Sequence, residues 1–312
     1  MSHNIIEALR EASINNLFAT SGFSGCWNKW KSTINTIATG KTPTQILNLG
    51  DNLSDIFATT RKEGRSQSDV SGGGASWEAL VCWYLNLCLI GRRTVVIKHH
   101  KSLIPDPISD AITVNYSNFV SNTESDLIAI TFPEKPDYTL DKNEISILDT
   151  NGEIVPTVIR NNKYNLKNVL NALSHRDFSE IEIHIVQCKT NWNDNAQIPM
   201  LWDMIYSANN FKTNITIGKN GYSIHNSSRF TYSFVTVPTV KITGIKPTST
   251  CVKRVTHLSG GNYWGRSTSS NIASSVKEML NRNLSTGHSS NHLTTLKSEL
   301  VKLNYEYAYF QI

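Results

Sequence analysis

The alternation of apolar and polar residues between positions 181 and 190 predicts a buried β-strand. Isoleucines at 181, 183 and 185 alternate with polar residues, and Val186 follows them. Successive side chains of a strand point to opposite faces, so Gln187 and Lys189 should share one face at the end of this strand. A lysine there is costly to bury without a partner. This cost suggests a functional site.

A helix is predicted directly after the triple glycine at 72–74. Trp77, Leu80 and Val81 begin an apolar pattern with helical spacing, and Ser76 precedes it as the expected N-cap. Glu78 would then lie in the first turn, where the helix dipole favours a negative charge. The same kind of pattern predicts helices at 5–17, 164–174, 197–206 and 270–284, strands at 94–97, 125–132, 214–217, 230–237 and 240–244, and a hairpin over 144–159.

Asp126 stands at the start of the apolar run 127–131, which makes it a candidate partner for Gln187 and Lys189. A carboxylate, an amide oxygen and a lysine together suit metal-assisted hydrolysis of a phosphodiester. Mg²⁺ prefers hard oxygen ligands, and the lysine can orient or help deprotonate the attacking water. The three residues resemble the D…(D/E/Q)xK motif of the PD-(D/E)xK nuclease superfamily, in the Q-x-K form of Mrr-like restriction enzymes.

The resemblance implies an α/β fold with a restriction-endonuclease-like αβββα core, a mixed β-sheet flanked by helices, and a basic C-terminal α+β extension. It implies Mg²⁺ as the cofactor, held by Asp126, Gln187 and Glu78. Lys189 would orient the nucleophilic water, and cleavage would leave 5′-phosphate ends. A symmetric homodimer acting on double-stranded DNA is the expected assembly.

Ordinary structural explanations remain open for each of these residues. Lys189 could be a strand-end lysine that reaches solvent, Asp126 a turn residue, and Glu78 a residue that only complements the helix dipole. Asp106 is a rival carboxylate, but the proline after it is poor strand context. The cluster at 98–101 does not suit a shared metal, because adjacent side chains point apart.

Charge divides the chain into an acidic part and a basic part. Residues 211–312 hold 12 Lys and Arg against 3 Glu and no Asp, whereas residues 1–210 hold 18 against 22. The overall charge of +5 conceals this difference. A basic segment rich in Ser, Thr and Asn suits a polyanion, because lysine and arginine neutralise phosphates, although a solvated basic face is the alternative.

Candidate DNA contacts lie in three polar loops, at 61–68, 190–195 and 258–267. Arginine and glutamine can make paired hydrogen bonds to guanine and adenine, and asparagine and serine can bond phosphates and base edges. The residues proposed for DNA binding are Arg61, Arg65, Gln67, Ser68, Asn191, Asn193, Arg266 and Ser267.

Length and composition limit the remaining choices. With 312 residues, 39% of them hydrophobic, the chain can bury a full core, and we predict a helical region at 1–70, a nuclease core at 71–210 and a basic region at 211–312 that completes the sheet. We expect no membrane span and no signal peptide. Five scattered cysteines predict reduced thiols and a cytoplasmic location.

The sequence thus predicts a type II restriction endonuclease. No phosphate-binding G-x-x-x-x-G-K-[ST] motif occurs, which argues against an ATP-driven restriction subunit. Two alternatives from other classes stay open. One is a non-catalytic DNA-binding protein on a decayed nuclease fold, and the other is a structural or interaction protein.

Overall fold

The structure of the protein is a computed structural model. It describes residues 3–60, 67–98, 100–121, 125–190, 197–207, 214–237, 246–258, 262–263 and 274–312, with the backbone alone at 67–72 and 262–263. The predicted strand at 240–244 lies outside these residues. The helices are α1 (Ile5–Phe18), α2 (Ser21–Ile37), α3 (Pro43–Ala58), α4 (Gln67–Cys88), α5 (Asp106–Ala111), α6 (Pro136–Thr139), α7 (Leu166–Arg176), α8 (Gln197–Ser207), α9 (Thr250–Val255), α10 (Val276–Asn283) and α11 (His292–Glu299). The strands are β1 (Thr94–Lys98), β2 (Val114–Tyr116), β3 (Phe119–Ser121), β4 (Leu127–Thr131), β5 (Val158–Ile159), β6 (Lys163–Tyr164), β7 (Glu182–Lys189), β8 (Ile215–Ile217), β9 (Arg229–Thr236) and β10 (Asn262–Tyr263).

A mixed five-stranded sheet forms the centre of the fold, in the order β1-β4-β7-β9-β10. Strands β1, β4 and β7 pair antiparallel, whereas β9 runs parallel to β7 and β10 runs parallel to β9. Two parallel neighbours need a crossover connection, and α8 lies in the segment that joins β7 to β9. The chain is therefore α/β, with a mixed sheet flanked by helices, as predicted.

The two faces of this sheet are buried against different sets of residues. In β7, Val186 and Cys188 pack into the core that contains α4, while Ile183 and Ile185 pack into a second core with Tyr232 of β9. Because residues pack against both faces of the sheet, the strands contain apolar residues on both faces instead of strict apolar–polar alternation. It also places Gln187, two residues after Ile185, on the face opposite α4.

Helix α4 begins ten residues earlier than the sequence predicts, at Gln67 instead of Trp77. It includes the triple glycine, so Ser76 is an interior residue rather than the N-cap. Side chains from Trp77 to Ile90 are almost all fully buried, and packing on that scale outweighs the low helix propensity of glycine. Glu78 therefore lies in the middle of the helix, and the predicted stabilisation by the helix dipole does not apply.

The segment between β4 and β7 also differs from prediction. The expected hairpin over 144–159 is reduced to one bridge between Leu148 and Ile154, and β5 pairs instead with β6. Strand β8, predicted at 214–217, joins a separate three-stranded sheet in the order β3-β2-β8. Each of these pairings depends on tertiary neighbours that local alternation does not reveal.

Two further observations concern the whole chain. All five cysteines are free thiols, as predicted. Among the described helices, none combines the length and the apolar character that a membrane crossing requires.

Candidate active site

Asp126 lies directly before β4, at the end of the sheet where β7 finishes. The last register pair of these strands joins Leu127 to Val186, which places Asp126 opposite Gln187. The Asp126 Oδ2 atom accepts a hydrogen bond of 2.7 Å from the backbone N–H of Cys188. This bond extends the pairing of the two strands by one residue and fixes the carboxylate beside the end of β7.

Lys189 is the last residue of β7 and lies next to this carboxylate. Its Nζ atom is 3.6 Å from Asp126 Oδ2, and its side chain retains 25% of its exposure. Sixty-three positions separate the two residues in sequence, and antiparallel pairing brings them together. The structure therefore unites the predicted aspartate and lysine.

Gln187 is fully buried, one step further into the sheet than Lys189. Its Oε1 atom accepts a hydrogen bond of 2.9 Å from the hydroxyl of Tyr232 on β9. The ring centroid of Tyr232 lies 5.9 Å from that of Tyr206 on α8, and this aromatic contact fixes the ring that carries the hydroxyl. Gln187 therefore has a fixed amide whose oxygen already accepts one bond, and an amide oxygen has two lone pairs.

Glu78 reaches the same site from α4. Its Oε2 atom is 3.2 Å from the Nζ atom of Lys98, the last residue of β1, and that Nζ donates a 2.8 Å hydrogen bond to the carbonyl of Ala75. Lys98 was not predicted as a site residue. The signal was nevertheless present, since Lys98 ends an apolar strand run in the same way as Lys189.

Burial and neighbouring charges shift the pKa values of both carboxylates in the same direction. Burial raises the pKa of Asp126, and the nearby ammonium of Lys189 and the Cys188 N–H act against this rise. Burial also raises the pKa of Glu78, and the negative charge of Asp126 raises it further, while Lys98 opposes both effects. A carboxylate whose charge is disfavoured by a neighbouring carboxylate is stabilised when a cation binds beside it.

The donor set matches what Mg²⁺ requires from a protein. Within the described part of the chain, no group of three or more His, Cys, Asp or Glu side chains is arranged to hold a metal. Mg²⁺, however, is commonly held by one or two carboxylates, with waters and substrate phosphates completing its shell. The carboxylates of Asp126 and Glu78 fit that pattern, whereas the Gln187 amide oxygen bonds Tyr232 on the face opposite α4.

Cys188 lies between the two β7 site residues but faces the α4 core. Burial raises the pKa of its thiol well above the usual value, and the charge of Asp126 adds to this effect. A nucleophilic cysteine must form a thiolate, which this environment opposes. Cys188 is therefore a packing residue whose backbone N–H positions Asp126.

The rival carboxylate Asp106 has a different role. It lies at the start of α5, where its Oδ1 pairs with Lys167 at 2.7 Å and its Oδ2 accepts a 2.7 Å hydrogen bond from Asn171. Most of the predicted DNA contacts lie outside the described residues: Arg61, Arg65, Asn191, Asn193, Arg266 and Ser267. Gln67 and Ser68 belong to the first turn of α4, and their side chains are likewise outside the description.

Comparison with known proteins adds no relative. No protein-family model matches the sequence, and no curated protein matches it at a significant level.

Proposed function

We propose that the protein is a Mg²⁺-dependent DNA endonuclease that resembles type II restriction enzymes of the PD-(D/E)xK superfamily. The observation that carries the proposal is the meeting of Asp126 and Lys189, whose Oδ2 and Nζ atoms lie 3.6 Å apart at the ends of adjacent strands. A second carboxylate, Glu78, lies close to Asp126. Burial raises the pKa of Glu78 most, and the negative charge of Asp126 raises it further.

The order of elements around the site supports the same proposal. Helix α4 precedes three antiparallel strands, β1, β4 and β7, and α8 follows them before a strand that runs parallel to β7. This is the helix, three strands and helix that the resemblance implies. The small sheet and the segment at 132–181 are insertions between those elements, and loops tolerate such insertions.

Each of the four site residues has a defined role in the proposed reaction. Asp126 and Gln187 supply oxygen ligands, and Glu78 adds the second negative charge of the site. A bound Mg²⁺ would withdraw charge from the scissile phosphate and favour ionisation of the attacking water. The ammonium of Lys189 orients that water for in-line attack. The water oxygen forms a bond to phosphorus, the bond from phosphorus to the 3′ oxygen breaks, and a 3′-hydroxyl and a 5′-phosphate result.

Gln187 gives the site one negative charge fewer than an acidic residue would. Its amide is neutral, so the carboxylates of Asp126 and Glu78 must provide the charge that holds a divalent cation. The hydroxyl of Tyr232 orients the amide by donating to Oε1 at 2.9 Å. This contact also favours the second candidate function, a DNA-binding protein without catalysis, because the hydrogen bond stabilises the fold whether or not a metal binds.

The partner we propose is double-stranded DNA, attracted by the positive balance of residues 211–312. Because a double-strand break needs two active sites, we propose a symmetric homodimer. The size of the protein in solution, measured by light scattering with and without a DNA duplex, tests this assembly.

The test of the function is digestion of phage-length duplex DNA with and without Mg²⁺, using the wild type and Lys189→Ala. We expect discrete Mg²⁺-dependent fragments, and a rate at least about 100-fold lower for the variant, because the attacking water loses the group that orients it. The control is Lys163→Ala, which removes an exposed lysine of the separate β5–β6 sheet. Intact DNA that is retarded in a gel would favour the binding protein. Intact DNA with no retardation would favour a structural or interaction protein.

A further inference from the structure

We infer that Lys98 is a positioning residue that holds Glu78 and supplies the second positive charge of the site, so that the site takes one divalent cation. This inference rests on the proposed nuclease function. It assigns a role to a lysine outside the D…QxK motif and predicts the number of metal ions that the site binds.

The contacts of Lys98 fix its ammonium group between a strand and a helix. The residue ends β1, which pairs with β4, and its backbone partner is Leu127, the neighbour of Asp126. Its Nζ lies 3.2 Å from Glu78 Oε2 and 2.8 Å from the Ala75 carbonyl, two groups one turn apart on α4. The side chain of Lys98 keeps 24% of its exposure, so it is only partly buried.

The charges of the site balance when Lys98 is counted. Two carboxylates, Glu78 and Asp126, face two ammonium groups, Lys98 and Lys189. In two-metal sites, carboxylates hold a pair of cations about 4 Å apart. A second cation here would have to displace Lys98 from Glu78 and leave its ammonium partly buried without a counter-charge, which is unfavourable. One divalent cation near Asp126, with Lys98 as the other positive charge, avoids this cost.

The experiment is a calorimetric titration of the full chain with Mg²⁺ in the absence of DNA. We expect one ion per wild-type chain, and at least tenfold tighter binding or a second ion for Lys98→Met, because Glu78 then loses its competing cation. Lys98→Arg should behave like the wild type. The matched control is Lys101→Met, an exposed lysine three residues along the chain.

DNA cleavage provides the second readout. At saturating Mg²⁺, Lys98→Met should cleave at least tenfold more slowly although it binds the ion more tightly, because the charge facing the phosphate is lost. A merely structural role for Lys98 would not move the two quantities in opposite directions. The reciprocal variant Glu78→Gln keeps the test usable if Lys98→Met fails to fold, and it should bind Mg²⁺ at least tenfold more weakly.

The outcomes separate this inference from the function on which it rests. Wild-type cleavage combined with unchanged Mg²⁺ affinity and stoichiometry in both Lys98→Met and Glu78→Gln would overturn the role of Lys98 and leave the nuclease intact. Two ions bound by the wild type would do the same. Absence of both Mg²⁺ binding and cleavage in the wild type would overturn the proposed function and this inference together.

Discussion

At the scale of single residues, the site is defined by side chains that end apolar strands. Asp126 and Lys189 could be found from the sequence because each adjoins a run of buried residues where a charge is unexpected. The contribution of Tyr232 could not be found, since it depends on the parallel register that places Tyr232 opposite Ile185. Lys98 carries the same signal as Lys189, since it also ends an apolar strand.

Replacement of Asp126 by asparagine tests the principal metal ligand. The amide oxygen of Asp126→Asn can still accept the hydrogen bond from Cys188, so the strands should remain paired. The negative charge is lost, and we expect the cleavage rate to fall at least about 1,000-fold, a loss of roughly 4 kcal/mol in transition-state stabilisation. A rate within tenfold of the wild type, measured at saturating Mg²⁺, would remove Asp126 from the site.

Tyr232→Phe tests whether the buried Gln187 amide is held by its partner. Loss of the hydroxyl leaves a buried acceptor with one bond fewer, which costs about 1 kcal/mol or more. Urea unfolding should show a lower midpoint with an unchanged m-value. We also expect slower cleavage, because the amide is no longer oriented. Equal midpoints for the two proteins would mean that this hydrogen bond contributes nothing to stability.

The pH dependence of stability tests the environment of Glu78. Its pKa is raised in the folded protein by burial and then by Asp126, so ionisation of Glu78 opposes folding. Below the unfolded pKa of about 4.3, the group is protonated in both states and this penalty is absent. As pH rises from the unfolded pKa through the folded pKa, ionisation of Glu78 lowers the stability of the wild type. Glu78→Gln has no carboxyl group at this position and does not lose this stability.

The quantity to measure is the free energy of unfolding of the wild type and of Glu78→Gln between pH 4 and pH 8. The free energy of unfolding of Glu78→Gln should increase relative to that of the wild type as pH rises. The control is Glu144→Gln, which changes an exposed glutamate in the segment between β4 and β7. A difference between wild type and Glu78→Gln that stays constant over this range would show that Glu78 ionises as easily in the folded chain as in the unfolded one.

At the scale of elements, the central strands were predictable and the start of α4 was not. Strands β1, β4 and β7 are five to eight residues long and rich in Val and Ile, a pattern that local sequence expresses clearly. Three consecutive glycines indicate a loop by the same local rules. In the structure they continue a helix whose following turns are buried on nearly every side, so the decisive energy comes from packing.

Gly74→Ala tests whether α4 passes through the glycines. A Cβ atom at this position would meet nothing within 4 Å, so alanine should stabilise the helix by about 1 kcal/mol. Thermal unfolding measures the effect, and cleavage should be unchanged. The matched control is Gly50→Ala in α3, where a Cβ atom would collide with the hydroxyl of Tyr84 and destabilise the protein. Destabilisation by Gly74→Ala would place the start of the helix after residue 74.

At the scale of the whole molecule, the basic balance of residues 211–312 contrasts with the acidic balance of residues 1–210. Composition alone reveals this asymmetry, because counting charges requires no structure. The predicted contacts in the polar loops cannot be inferred in the same way, since base recognition depends on the geometry of each loop. The sequence therefore predicts that the binding surface is positively charged, but it does not predict the individual hydrogen bonds to DNA.

Salt dependence of DNA binding tests the electrostatic part of the proposal. If the basic region neutralises about six or more phosphates, the dissociation constant for a duplex should rise by about 1,000-fold between 50 and 200 mM salt. Fluorescence anisotropy with a labelled duplex in the absence of Mg²⁺ measures this change. A dissociation constant that hardly varies with salt would show that lysine and arginine do not carry the binding.

The most direct test of the central claim is to identify the chemical ends left on duplex DNA after incubation with the wild-type protein and Mg²⁺. We predict discrete fragments whose ends a DNA ligase joins without prior phosphorylation, because water attack at phosphorus assisted by Asp126 and Lys189 leaves a 5′-phosphate and a 3′-hydroxyl. DNA that stays intact in Mg²⁺, at protein concentrations that bind all of it, would contradict the claim that this site cleaves phosphodiesters.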